Sequence, residues 1–367
     1  MSDGLLDAWP SLPPSAHLRR PPASLPFPLD DPRCTLFALG RGGLYHGLRA
    51  SGLEPGDEVL MPAYHHGSEV EATIRAGLVC AFYEGTEQLE PEPDELESLL
   101  GPRVRALHLT HYLGFPQDAV RWRAWCDERG LLLVEDAAQA WLARSADGRP
   151  VGSVGDLTVF CVYKTFGVPD GAALVSRGVQ VDAKGRSGLG TLARKHAAWL
   201  AGRSGAAATL LLARRRDRTY VPGEDFALAD ADVGPAGISV RLIRRLAGRD
   251  AAGARRTAYA RLLDALADHV PAPFAELLPG ASPFAFPVAT DRKAEILSAL
   301  ARARIQALDL WSVPHPSLPV DRFPAAARRR ATTVGLPVHQ ELRASDVERI
   351  AAAAAAALNG RPSTPSR

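Results

Sequence analysis

The chain reads as an α/β protein: a large α/β/α unit on a mostly parallel sheet, followed by a smaller C-terminal α+β unit. Two observations predict this. From Cys34 to Val175, short apolar runs of strand character alternate with helix-patterned segments, and repeated β-α units place helices on both faces of a parallel sheet. From about residue 238 onward, helix patterns dominate and enclose only short strand candidates. At 367 residues and 39.2 kDa, the chain is long for one compact unit and suits two units on a continuous backbone.

Residues 1–32 carry Pro10, Pro13, Pro14, Pro21, Pro22, Pro26, Pro28 and Pro32. Each proline removes an amide donor, so an extended arm is predicted. The periodicity then predicts a strand over 34–39, a helix over 42–50, a helix over 69–75 with Val70 and Ile74 on one face, and a strand over 78–83. Helices over 93–100 and 119–128 alternate with strands over 104–109, 131–134, 157–162 and 172–175. Later helices fall at 240–247, 255–267, 293–303 and 344–358, with strands at 284–288 and 308–311. The resulting division is an arm (1–32), a large unit (33–236), a small unit (237–360) and a loose tail (361–367).

The stretch 178–235 gives no clear pattern. Its Arg203, Arg214, Arg215, Arg216 and Arg218 read either as a solvated helix face or as a basic loop for a diphosphate-bearing substrate. Lys plus Arg total 43 against 41 for Asp plus Glu, a net charge of +2, which argues against a protein that neutralises many nucleic-acid phosphates. Cys34, Cys80, Cys126 and Cys161 are scattered without metal-site spacing, so no metal centre is expected and reduced cytoplasmic thiols are. No apolar run is long enough to cross a bilayer, and no leader pattern opens the chain.

Chemistry concentrates around Lys164, in Tyr163-Lys164-Thr165-Phe166-Gly167, with Glu135-Asp136-Ala137-Ala138-Gln139 upstream. A lysine amine can form a Schiff base with an aldehyde, and a buried aspartate can keep a pyridine nitrogen protonated. Together they look like a pyridoxal 5'-phosphate site. Alone, the lysine would read as a surface charge and Asp136 as a helix cap. Gly40, His66, Asp136 and Lys164 all fall at or just after predicted element boundaries, and open α/β sheets gather ligands at the carboxyl ends of their strands.

Met61-Pro62-Ala63-Tyr64-His65-His66, His111-Tyr112-Leu113-Gly114-Phe115-Pro116, the Glu135-Asp136 strand, Gly152-Ser153-Val154-Gly155-Asp156 and Lys164 follow one another. This succession resembles the DegT/DnrJ/EryC1/StrS family of sugar aminotransferases over roughly residues 34–360. The resemblance implies the fold-type-I pyridoxal-phosphate transferase fold, a homodimer with shared active sites, and transfer of an amino group, from glutamate, to a keto group of a sugar, nucleotide-sugar or sugar-like substrate. It implies Lys164 as the Schiff-base residue and Asp136 as the pyridine-nitrogen partner. Gln139 then contacts the ring oxygen, His66 stacks on the ring, and the Gly40-Arg41-Gly42 turn supplies amides to the phosphate.

Several positions depart from the family pattern. Arg41 stands where a Ser or Thr is common, Cys161 where a serine often touches the phosphate, and Ser239 where an asparagine reaches the partner subunit's cofactor; a structural helix cap is the other reading of Ser239. The segment before Lys164 is shortened by two residues. Without the resemblance, the glycine turn reads first as simple turn chemistry, and it is not a G-x-G-x-x-G pattern. Either of His65 and His66 reads equally as a satisfied histidine, and Tyr64 is an alternative pocket residue. Three rival functions follow: a related dehydratase, in which a histidine replaces the lysine; a regulatory relative that binds the cofactor without turnover; and a nucleotide-dependent oxidoreductase.

Overall fold

The computed structural model describes residues 4–176, 189–203 and 231–360. The arm holds a short strand, β1 (Leu6–Asp7), and a turn of 3-10 helix (Pro14–Leu18). The elements β2 (Cys34–Phe37), α1 (Gly40–Ala50), β3 (Glu58–Pro62), α2 (Ser68–Arg75), β4 (Val79–Tyr83), α3 (Pro93–Leu99) and β5 (Val104–Thr110) follow. After them come α4 (Ala119–Arg129), β6 (Leu132–Asp136), β7 (Leu157–Cys161), α5 (Val162–Thr165) and β8 (Ala172–Ser176). Helices α6 (Leu189–Arg203), α7 (Gly237–Leu246) and α8 (Ala251–Leu266) lead to β9 (Ala285–Ala289), α9 (Lys293–Arg302), β10 (Ile305–Gln306) and β11 (Leu308–Asp309). The last are α10 (Pro324–Thr332), β12 (Thr333–Pro337) and α11 (Ala344–Leu358).

Seven strands form the main sheet in the order β2-β8-β7-β6-β5-β3-β4. From β7 through β4 the neighbours run parallel, and β8 runs antiparallel to both β2 and β7. Every residue of β7 and β8 is buried, as expected when a sheet is covered on both faces. A second, antiparallel sheet has the order β11-β12-β9. Trp122, Trp141, Phe160 and Phe166 are among the largest fully buried side chains, each stabilising the fold by roughly 1.5–3 kcal/mol.

The structure revises several expected boundaries. Helix α1 begins at Gly40 rather than 42, because Leu39 O accepts the Gly42 and Gly43 amides; the glycine run is thus the first helical turn. Ile74 is 38% exposed while Val70 is fully buried. The first turns of α2 are enclosed and only its end clears the core, so position along the axis, not face, decides the burial of Ile74. Helix α10 escaped the sequence reading because its Arg328-Arg329-Arg330 run looks solvated. Arg330 is instead buried and donates to Ala63 O, His65 O and Trp311 O at 2.6–2.9 Å. Arg214, Arg215, Arg216, Arg218 and the 361–367 tail lie outside the described residues.

The arm is fastened along its length. β1 pairs in parallel with β10, Asp7 O lies 2.9 Å from His339 Nε2, and Arg349 donates to Gly4 O at 2.6 Å. Leu12 and Ala16 are fully buried, His17 Nε2 lies 2.9 Å from His196 Nε2 on α6, and Trp141 Nε1–H donates to Phe27 O at 2.9 Å. At Gly167 the approach is so close that a Cβ would sit 2.3 Å from Pro10 O. Only glycine there lets the arm lie against the Lys164 turn.

Candidate active site

The register of β5, β6 and β7 brings Thr110, Asp136 and Val159 level at the carboxyl end of the sheet. A cleft of about 400 Å³ opens there. Lys164, Asp136, Gly40, Arg41, His66, Gln139 and Cys161 all line it, whereas Gly42 and Ser239 do not. Gly42 is taken up by the first turn of α1, where a Cβ would meet Ala231 O at 2.9 Å. Ser239 is fully buried on α7, and its Oγ has no hydrogen-bond partner among the described residues. Tyr64 packs against Tyr112 and Trp311 and stays out of the cleft.

Glu135 and Asp136 are adjacent on β6, so the pleat sends them to opposite faces. Glu135 is fully buried and takes His111 Nε2–H at 2.9 Å together with the amides of Gly152, Val154 and Gly155 at 2.5–3.1 Å. It fastens the loop before β7. Asp136 faces the cleft, accepts the Ala138 amide at 2.8 Å, and lies 3.6 Å from His108 Nε2. Burial pushes the Asp136 carboxyl up, but His108, the Ala138 amide and Lys164 outweigh burial and hold it below its ordinary value. It is an ionised carboxylate inside a pocket.

Lys164 sits on the single turn of α5, directly after β7. Its amine has no hydrogen bond or ion pair among the described residues. On the same wall, α1 begins at Gly40 without a side-chain cap, and the Gly40 and Arg41 amides find no backbone acceptor among the described residues. Such a helix start is an anion site. A Cβ on Gly40 would lie 2.6 Å from Cys161 Sγ, so the glycine is what leaves room there. Burial raises the Cys161 thiol, keeping it protonated.

Gln139 accepts the Leu113 amide through Oε1 at 2.9 Å, which fixes the side chain and leaves its NH2 as the free donor. His66 follows β3 and is open to the cleft, with its amide bonded to Glu69 Oε1 at 2.9 Å and its Nδ1 3.2 Å from Ser68 Oγ. Desolvation lowers the His66 pKa, with Lys164 and Arg41 adding to the effect against Glu69 and Asp136. These residues suit pyridoxal phosphate: an open helix start for the phosphate, a carboxylate for the ring nitrogen, a donor for the ring oxygen and an unpaired amine for the aldehyde.

Sequence reasoning missed the far wall. Trp9 from the arm, Phe284, Leu308, Leu310 and Trp311 line it, and the Trp9 and Phe284 rings meet edge-to-face with centroids 5.4 Å apart. Trp9 gave no signal, being isolated in a proline-rich stretch. Asp309 also reaches this wall but is neutralised by Lys293 Nζ at 2.5 Å.

This sheet, with its cleft at the strand ends, is the fold of the pyridoxal-phosphate-dependent aminotransferases. Residues 32–198 match the model of the DegT/DnrJ/EryC1/StrS aminotransferase family. It is 29% identical over 145 residues to GDP-perosamine synthase of Vibrio cholerae, covering 39% of each chain. Over 142 residues it is 37% identical to dTDP-3-amino-3,4,6-trideoxy-alpha-D-glucose transaminase of Streptomyces venezuelae, covering 37% of each chain. The chain thus spans about two fifths of the length of the curated relatives it matches. Among solved structures, the aminotransferase TlmJ from Streptoalloteichus hindustanus is similar with a TM-score of 0.62 and 25% identity, over 89% of this chain and 86% of that one.

Proposed function

We propose that this chain is a homodimeric, cytoplasmic, pyridoxal-phosphate-dependent aminotransferase that moves an amino group from glutamate to a keto group of a sugar, nucleotide-sugar or sugar-like acceptor. The observation that carries this reading is the convergence of the unpaired Lys164 amine, the ionised Asp136 carboxylate and the open start of α1 on one cleft. The related enzymes' names, which specify GDP- and dTDP-sugar products, support the acceptor class.

When bound, pyridoxal phosphate supplies an aldehyde for amines and a ring that accepts electrons. Lys164 would hold it through its amine and, as a neutral amine, would take and return a proton at the substrate carbon. Asp136 would keep a proton on the ring nitrogen. The α1 amides and Arg41 would hold the phosphate, Gln139 would donate to the ring oxygen, and His66 would supply a flat imidazole face to the ring. Trp9, Phe284 and Trp311 present flat apolar faces to the acceptor.

The proposed division is an arm (1–32), a large domain (33–236), a small domain (237–360) and a tail (361–367), supported by the confinement of the main sheet to β2–β8 and of the second sheet to β9, β11 and β12. No helix among the described residues is long and apolar enough to cross a membrane, and Cys34, Cys80, Cys126 and Cys161 are free thiols; both features support the cytoplasmic placement. Sedimentation should give an active dimer, and a fully active monomer at assay concentration would overturn that part. The central test is mass spectrometry of a single turnover with glutamate and a panel of keto-sugars. An aminated sugar is expected; cofactor held on Lys164 with no transfer to any acceptor would leave a non-transaminating relative.

A further inference from the structure

Arg255 of α8 is only 1% exposed, and no carboxylate pairs with it among the described residues. A buried guanidinium is costly unless its donors are satisfied. Here it makes four hydrogen bonds, each to a neutral oxygen: Nε to Gln340 Oε1 at 3.0 Å, one terminal nitrogen to Pro283 O at 3.0 Å, and the other to Thr165 O at 3.0 Å and Lys164 O at 3.3 Å. Gln340 closes the ring, donating through Nε2 to Thr165 O at 2.8 Å. Burial lowers the Arg255 pKa to about 10, so the group stays charged at neutral pH.

The recipient is unusual. Helix α5 has four residues, too few for its last carbonyls to find partners within the helix. Lys164 and Thr165 are two of those carbonyls, and Arg255 and Gln340 supply what the helix cannot. The third carbonyl bound, Pro283 O, immediately precedes Phe284 on the far wall of the cleft. A single side chain therefore ties the lysine-bearing turn to the opposite wall.

We infer that Arg255 is a positioning residue for Lys164: by holding the Lys164 and Thr165 carbonyls it sets the direction from which the lysine amine enters the cleft, with Gln340 as its accessory. This rests on the proposed role of Lys164. A purely structural arginine would affect melting alone, whereas a positioning arginine also governs how fast Lys164 captures the cofactor and turns over.

The test compares wild type, Arg255→Lys and Gln340→Met by three measurements: thermal melting, the rate at which borohydride fixes added pyridoxal phosphate to the Lys164 peptide, and kcat against KM for the amino donor. Arg255→Lys keeps the charge but loses the fork, and it should fold, capture cofactor more slowly and lose about 100-fold in kcat, the scale of a misplaced reacting group, with KM changed far less. Gln340→Met keeps the volume and should show the same pattern, reduced to about 10-fold. Wild-type capture rate and kcat in a folded Arg255→Lys would overturn the inference. If that variant does not fold, wild-type behaviour of Gln340→Met overturns it instead. No label on Lys164 in the wild type would sink the reading of the site itself, a different failure.

Discussion

The two walls of the cleft are built differently. The wall formed by residues 39–164 consists of groups that bond or carry charge, each placed by a strand end or a helix start: Asp136 ends β6, Lys164 follows β7, and Gly40 opens α1. The opposite wall, from Trp9 and residues 284–311, is mainly apolar and aromatic, and it is assembled from segments far apart in the chain. Bonding groups thus sit where sheet register fixes them, and shape is supplied by long-range docking. Substitutions on the first wall should strike chemistry, and those on the second, acceptor binding.

The sharpest test of this contrast is Lys164→Ala, which should cut turnover by about three orders of magnitude or more and abolish borohydride labelling, with unchanged circular dichroism. Label appearing on another lysine would break the assignment. Asp136→Asn comes next, with cofactor retained and the single-turnover rate down by about 100- to 1,000-fold, because an amide cannot replace an ionised carboxylate at the ring nitrogen. A near-normal rate would remove Asp136 from the chemistry.

Smaller effects probe the faces of the cleft. His66→Ala should weaken cofactor retention on dialysis and His66→Phe should restore it; equal retention by Ala and wild type would dismiss stacking. On the far wall, Trp9→Ala should raise KM for the acceptor about 10-fold, the worth of one aromatic contact, and leave cofactor retention alone. A loss of cofactor instead would move Trp9 to the first wall.

The mildest prediction concerns the arm's tether. Burial, reinforced by Arg255, lowers the His339 pKa to about 4, below its ordinary value near 6.5. Above pH 6.5 the ring is neutral whether folded or unfolded. As pH falls from about 6.5 to 4, only the unfolded chain gains the proton, costing up to ~1.4 kcal/mol per pH unit. His339→Gln, which keeps a donor for Asp7 O, should flatten the pH dependence of melting across that window; an unchanged slope would show that His339 is not its source.

The first wall was legible in the sequence because its residues combine unusual chemistry with element ends. Gly40, Arg41, His66, Asp136, Gln139, Cys161 and Lys164 all reach the cleft. The resemblance singled out Asp136 from Glu135, whereas strand alternation alone does not say which of two adjacent acids takes the cleft face. Ser239 looked like a reaching polar residue, but the first turn of α7 buries it. Trp9 and Arg255 were invisible for a deeper reason: no local periodicity encodes a side chain whose place depends on β1 meeting β10, or on a guanidinium meeting the carbonyls of a turn.

The fastening of the arm bears on how the molecule is made. Gly4, Leu6 and Asp7 are made about 300 residues or more before their partners Ile305, His339 and Arg349. Closing a loop of that length carries an entropic cost before any contact repays it. The arm therefore docks only after residue 305 and its neighbours have been made, and the cleft acquires Trp9 with it. A nascent chain stalled before residue 305 would contain Lys164 and Asp136 and still lack Leu308, Leu310 and Trp311 of the opposite wall.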